Sequence, residues 1–118
     1  MQKKKAYAVS TAHLDTVWRW DLRKTIEEYL RDQVKSKGGK AYKFVSPGNA
    51  GVPDRMVVLP GSEIFFVELK APGKKPTELQ NKKIAELRAL GKDVFVADSK
   101  EAVDIVLYTQ ERKRANGI

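Results

Sequence analysis

Asp54 opens one extended run of the chain, and Glu68 and Lys70, separated only by Leu69, close the next. Glu68 and Lys70 fall on the same side of a strand, because side chains alternate with a period of two. If the two runs pair, Asp54 lies beside Glu68, and two adjacent carboxylates repel unless a cation stands between them. A divalent ion held by Asp54, Glu68 and the backbone carbonyl of Leu69 resolves that conflict and keeps waters in its other positions. Such an ion polarises a bound substrate oxygen and acidifies a water. Each residue has a plainer alternative: a Glu and a Lys pointing into solvent at a strand end, and a turn aspartate after Pro53.

Two further residues are candidates by position. In the helix containing Ile26, Tyr29, Leu30, Gln33 and Val34 on one face, Glu28 lies nearly opposite that face while Glu27 flanks it, so Glu27 is the better site candidate of the two and an ordinary boundary glutamate otherwise. Gln80 falls near the inward stripe set by Leu79, Ile84, Leu87 and Leu90, and it also completes a Thr77-x-x-Gln80 capping box; both roles can coexist.

The elements that must position these residues follow from periodicity and punctuation. A helix is predicted from Thr25 to the Gly38-Gly39 stop. Three extended runs follow, Ala41 to Val45, Arg55 to Leu59 and Glu63 to Lys70, and the short Pro60-Gly61-Ser62 link makes the last two an antiparallel hairpin. The Glu63 to Lys70 run is apolar on both faces at its start, Phe65, Val67 and Leu69 against Ile64 and Phe66, as expected of a central strand. After Pro72-Gly73-Lys74-Lys75-Pro76, Thr77 caps a helix that ends at Gly91. A strand at Asp93 to Ala97 and a helix to about Arg112, opened by Asp98-Ser99-Lys100-Glu101, complete the order α-β-β-β-α-β-α. This is an α/β fold with a mixed sheet flanked by helices.

Bulk composition bounds the partners. At 118 residues the chain is one domain with room for a single core. Its 23 Lys and Arg outweigh 15 Asp and Glu to give +8, which suits a polyanion and makes Lys40, Lys43, Lys74 and Lys75 candidate phosphate contacts. The chain has no cysteine and one histidine, His13, so thiolate sites and a structural zinc are excluded and oxygen ligands for a hard ion, Mg²⁺ or Mn²⁺, are left. Apolar runs are too short to span a bilayer and no signal core opens the chain, so a cytoplasmic protein without membrane contact is expected.

Gly-Val-Pro-Asp-Arg at 51 to 55, Phe-Val-Glu-Leu-Lys-Ala-Pro-Gly at 66 to 73 and Gln80 resemble, in order and spacing, the VRR-NUC nucleases, a branch of the PD-(D/E)xK superfamily. Ala-Tyr-Lys-Phe-Val-Ser-Pro-Gly at 41 to 48 and Leu-Gly-Lys-Asp-Val-Phe-Val-Ala-Asp-Ser at 90 to 99 extend the likeness over about Thr25 to Val103. The resemblance implies a restriction-endonuclease-like core and a metal-dependent DNA endonuclease with Glu27, Asp54, Glu68, Lys70 and Gln80 as site residues, Glu27 as a further metal ligand that binds a second ion or holds a metal water. It further implies Mg²⁺ or Mn²⁺, branched or flapped DNA, a homodimer, and a place in phage or bacterial replication and repair. A domain of the same fold that binds nucleic acid without cutting is the alternative.

Residues 5 to 29 are similar to something else. Ser-Thr-Ala-His-Leu-Asp-Thr-Val-Trp resembles the opening strand of retaining α-mannosidases, in which His13 and Asp15 would ligate zinc. The other ligands, the nucleophile and the large domain of that family are absent, so no glycosidase activity is carried over. Residues 1–24 are therefore expected to be an atypical, fused extension, with Trp18 and Trp20 as packing residues, before a nuclease domain at 25–113 and a tail at 114–118.

Overall fold

The computed structural model describes residues 11–62 and 64–115, excluding the side chains of residues 11–21 and 114. Its elements are α1 (Thr11–Ser36), β1 (Lys40–Lys43), β2 (Arg55–Val58), β3 (Phe65–Leu69), α2 (Glu78–Ala89), β4 (Val94–Ala97) and α3 (Lys100–Ala115). The order is the predicted one. The four strands form one mixed sheet, β1-β2-β3-β4, antiparallel except for the parallel β3/β4 pair, which α2 connects as the crossover.

Alternation along β3 decides which face becomes the core. Phe65, Val67 and Leu69 are fully buried, together with Val57 and Ala97 on neighbouring strands. Against them pack Ile26, Leu30 and Val34 from α1 and Val103, Val106 and Leu107 from α3, so two helices cover one face of the sheet. Helix α2 lies by β4 and buries only Ile84. The rest of its predicted inward stripe is more open, with Leu79 and Leu90 exposed, because a single helix covers this side. Ile64, predicted to be buried, is also exposed for the same reason. The second face of the sheet is thus only partly roofed, and it is the face onto which Glu68 projects.

The Thr77 capping box closes as expected, and Ser99, within the Asp98-Ser99-Lys100-Glu101 segment, caps the last helix. Thr77 Oγ1 accepts from Gln80 N at 3.1 Å while Gln80 Oε1 accepts from Thr77 N at 2.9 Å, closing the box at the start of α2. Ser99 Oγ accepts from Ala102 N at 3.0 Å at the start of α3. Gly51, at φ +91°, permits a close approach: a Cβ there would lie 2.9 Å from Leu79 Cγ. The loop leading to Asp54 therefore sits directly against the first turn of α2.

Helix α1 departs most from expectation. It begins at Thr11 rather than Thr25, and runs without a break through the junction at residues 24 and 25. No glycine or proline interrupts Thr11–Ser36, so once nucleated the helix has nothing to stop it. The opening strand implied by the α-mannosidase resemblance is therefore absent from Thr11 onward, and that resemblance finds no support. The side chains of His13, Asp15, Trp18 and Trp20 lie outside the described set.

Candidate active site

The β2/β3 ladder pairs Arg55 with Val67 and Met56 with Phe66, so one step further the register sets Asp54 opposite Glu68. Asp54 is tied in from both sides: its Oδ2 accepts from Leu69 N at 2.9 Å, and its backbone carbonyl accepts from Phe44 N at 2.8 Å. Its carboxylate is thereby fixed at the C-terminal end of β3. Lys70 N donates to Ala97 O at 2.9 Å, continuing the parallel β3/β4 pairing to the edge of the site.

Glu68 is the electrostatically unusual member of the pair. It is 1% exposed, and its Oε1 is buried without a hydrogen-bond partner. Burial pushes its carboxyl up to about 7, Asp54 pushes in the same direction, and the Lys70 ammonium, 3.5 Å from Oε2, opposes both. A buried, unpaired carboxylate oxygen is costly in a folded protein and has few remedies. A proton is one and a cation is another.

Glu27 and Gln80 are placed differently. Arg55 projects toward the helix-covered face, is almost fully buried, and forms an ion pair with Glu27 from α1 while its Nη1 donates to Ala41 O at 3.3 Å. Burial raises the Glu27 carboxyl, but the Arg55 hydrogen bond and charge outweigh it and hold the group below its usual range. Glu27 is thus joined to Arg55 rather than to the Asp54 and Glu68 pair. Gln80 spends its Oε1 on the cap of α2, next to the Gly51 loop.

Sequence reasoning missed Arg23 and Arg55. Arg23 reaches from α1 to place Nη2 3.0 Å from Asp54 Oδ2 and Nε 3.2 Å from Leu69 O. Arg55 stands immediately after Asp54, and its alternation onto the core face was a readable signal that a buried cation needed an acid partner. Arg23 carried no such signal, because its two contacts lie far along the chain. Lys40, Lys43, Lys74 and Lys75 are exposed. Lys43 lies at the Asp54 end of edge strand β1 and Lys40 at its other end, with its Nζ 4.9 Å from the Tyr42 ring centroid. Lys74 and Lys75 follow β3 in the turn beside the site. Among the described residues no cluster of three or more His, Cys, Asp or Glu side chains that could hold a metal ion is present.

A mixed sheet whose central hairpin brings a Pro-Asp and a Glu-x-Lys together, with helices on both faces, defines a nuclease domain of the restriction-endonuclease-like class. The chain belongs to the VRR-NUC family of nucleases. It is 54% identical over 82 residues to "Putative nuclease p44" of Acyrthosiphon pisum secondary endosymbiont phage 1, covering 70% of this chain and 88% of that protein. It also resembles a solved structure described as a VRR_NUC domain, with a TM-score of 0.68 at 31% identity over 73% of this chain and 94% of the other. No family model matches the chain.

Proposed function

We propose that this protein is a Mg²⁺- or Mn²⁺-dependent endonuclease that hydrolyses phosphodiester bonds in DNA. The observation that carries the reading is the buried Glu68 oxygen without a partner, on a strand that sets Glu68 opposite Asp54. The donor set fits a hard ion: two carboxylates and the Leu69 carbonyl supply only oxygen, and water completes the shell. When bound, such an ion supplies Lewis-acid charge at a phosphate and acidifies a neighbouring water.

The chain's own residues do the rest. Asp54 and Glu68 would hold the ion, and Lys70, close to Glu68, would orient the attacking water or offset negative charge developing on the phosphate. Glu27 and Arg55 brace α1 against the sheet next to these groups, and Gln80 holds the start of α2 beside the Asp54 loop. Lys43, Lys74 and Lys75 line the approach to the site and Lys40 extends it along β1, giving salt-sensitive binding to the DNA backbone. Branched or flapped DNA as substrate, a homodimer as the working form, and a role in phage or bacterial replication and repair complete the proposal. None of the described helices is long and apolar enough to cross a membrane.

The test is cleavage of labelled linear, flap and four-way-junction DNA with Mg²⁺, Mn²⁺ or chelator, beside Glu68→Ala. Metal-dependent cutting is expected from the wild type, with a loss of at least about a hundredfold in the variant. A second reading, a domain that binds nucleic acid without cutting, is favoured by one observation, the Arg23 guanidinium already lodged against Asp54. A folded wild type that cuts nothing under either metal would select it.

A further inference from the structure

Arg23 approaches the two oxygens that the metal reading also needs. Its Nη2 is 3.0 Å from Asp54 Oδ2 and its Nε is 3.2 Å from the Leu69 carbonyl, so one planar guanidinium bridges both. We propose that Arg23 is a tethered cation seated in the metal position, so that a divalent ion and this guanidinium are alternative occupants of one site. The inference rests on the metal-dependent reading above and deepens it.

Exclusion follows from charge and distance. An arginine does not give up its proton at any physiological pH, so the guanidinium cannot make room by becoming neutral. A hard ion binds oxygen at about 2.0 to 2.6 Å and would place two positive charges on the same Asp54 oxygen. One of them must leave. Arg23 can do so because it is partly exposed, with 29% of its side chain open to solvent, and is carried on a long flexible stem from α1. When only a fraction of molecules has the site open, apparent metal affinity falls by that fraction. Arg23 thereby sets the metal concentration at which the site fills. It is a residue that selects which cation is bound.

The experiment is titration calorimetry of the full chain with MnCl₂ alone, comparing wild type, Arg23→Gln and Lys24→Gln. Lys24 is an exposed neighbour on the same helix and controls for the loss of one positive charge. Releasing a partly exposed ion pair and one backbone hydrogen bond should tighten Mn²⁺ binding by about tenfold in Arg23→Gln and less than about twofold in Lys24→Gln. Saturating Mn²⁺ should also raise the melting temperature more in Arg23→Gln than in wild type. Arg23→Lys, whose ammonium cannot bridge two acceptors with a planar fork, gives an intermediate affinity and carries the comparison if Arg23→Gln does not fold. Equal Mn²⁺ affinity in wild type and Arg23→Gln, or equal tightening in Lys24→Gln, overturns the competition while leaving metal binding intact. Absence of Mn²⁺ binding in every protein overturns both the competition and the metal-dependent reading.

Discussion

Glu68 holds the least comfortable position in the described structure, since its carboxyl is buried, faces Asp54 and leaves one oxygen unpaired. Burial is the largest cause of its upward shift, from 4.5 to about 7. A carboxyl whose folded pKa exceeds its unfolded one contributes stability through its protonated form. That contribution is complete below about pH 4.5 and is lost as pH rises toward 7. Metal-free protein should therefore be more stable at about pH 5.5 than at pH 8, by about 2 kcal/mol relative to Glu68→Gln, in which no proton is at stake. Urea denaturation in chelator at the two pH values measures this. A wild type and variant with parallel pH dependence would mean that Glu68 titrates normally and that its burial is relieved some other way. The Glu27 and Arg55 pair behaves oppositely, because there the buried charge has a partner and the carboxylate form is the favoured one.

At the scale of elements, what was legible was periodic or punctuated. Phe65, Val67 and Leu69 announced a buried strand face by alternation, and Thr77 with Gln80 announced a helix start by a three-residue spacing that physically closes two hydrogen bonds. Alternation signalled that Arg55 needed an acid partner and helical phase set Glu27 at the edge of the apolar stripe of α1, but that these two meet was not legible, since they lie 28 residues apart and join only after α1 packs on the sheet. Arg23 was less legible still, reaching Leu69 across 46 residues. The helix that carries Arg23 starts earlier than periodicity placed it, at Thr11 rather than Thr25, because the apolar stripe is clear only from Ile26 onward while no helix breaker stands before it. The capping box is the element whose contribution is easiest to isolate. Thr77→Ala removes an acceptor for Gln80 N at an exposed helix end and should cost about 1 kcal/mol in denaturant unfolding. A change of only a few tenths would mean that the Gly51 contact with Leu79, rather than the cap, holds the first turn of α2.

For the whole molecule the governing quantity is the excess of positive charge, +8, and where it lies. Charge alone predicts that the protein meets DNA, so simple binding says little about the site; the salt dependence says more, because each phosphate neutralised adds about 0.9 to the log–log slope on duplex DNA. Lys74 and Lys75 leave β3 in the turn beside Asp54 and Glu68, and Lys43 sits at the same end of β1, so a duplex lying across the site should contact all three. With Glu68→Ala, expected not to cleave, as background, the double change Lys74→Gln and Lys75→Gln should lower the slope by nearly 2, and Lys43→Gln by about 1. Lys40, about 10 Å further along the strand by its geometry and resting on the Tyr42 ring, should matter less for short substrates. The readout is DNA affinity by fluorescence anisotropy over a salt series. If the Lys40 change lowers the slope most and the Lys74 and Lys75 changes leave it untouched, the DNA follows the outer edge of β1 and bypasses the carboxylates. A path of that kind would favour a binding domain over a nuclease even though the catalytic residue types are all present.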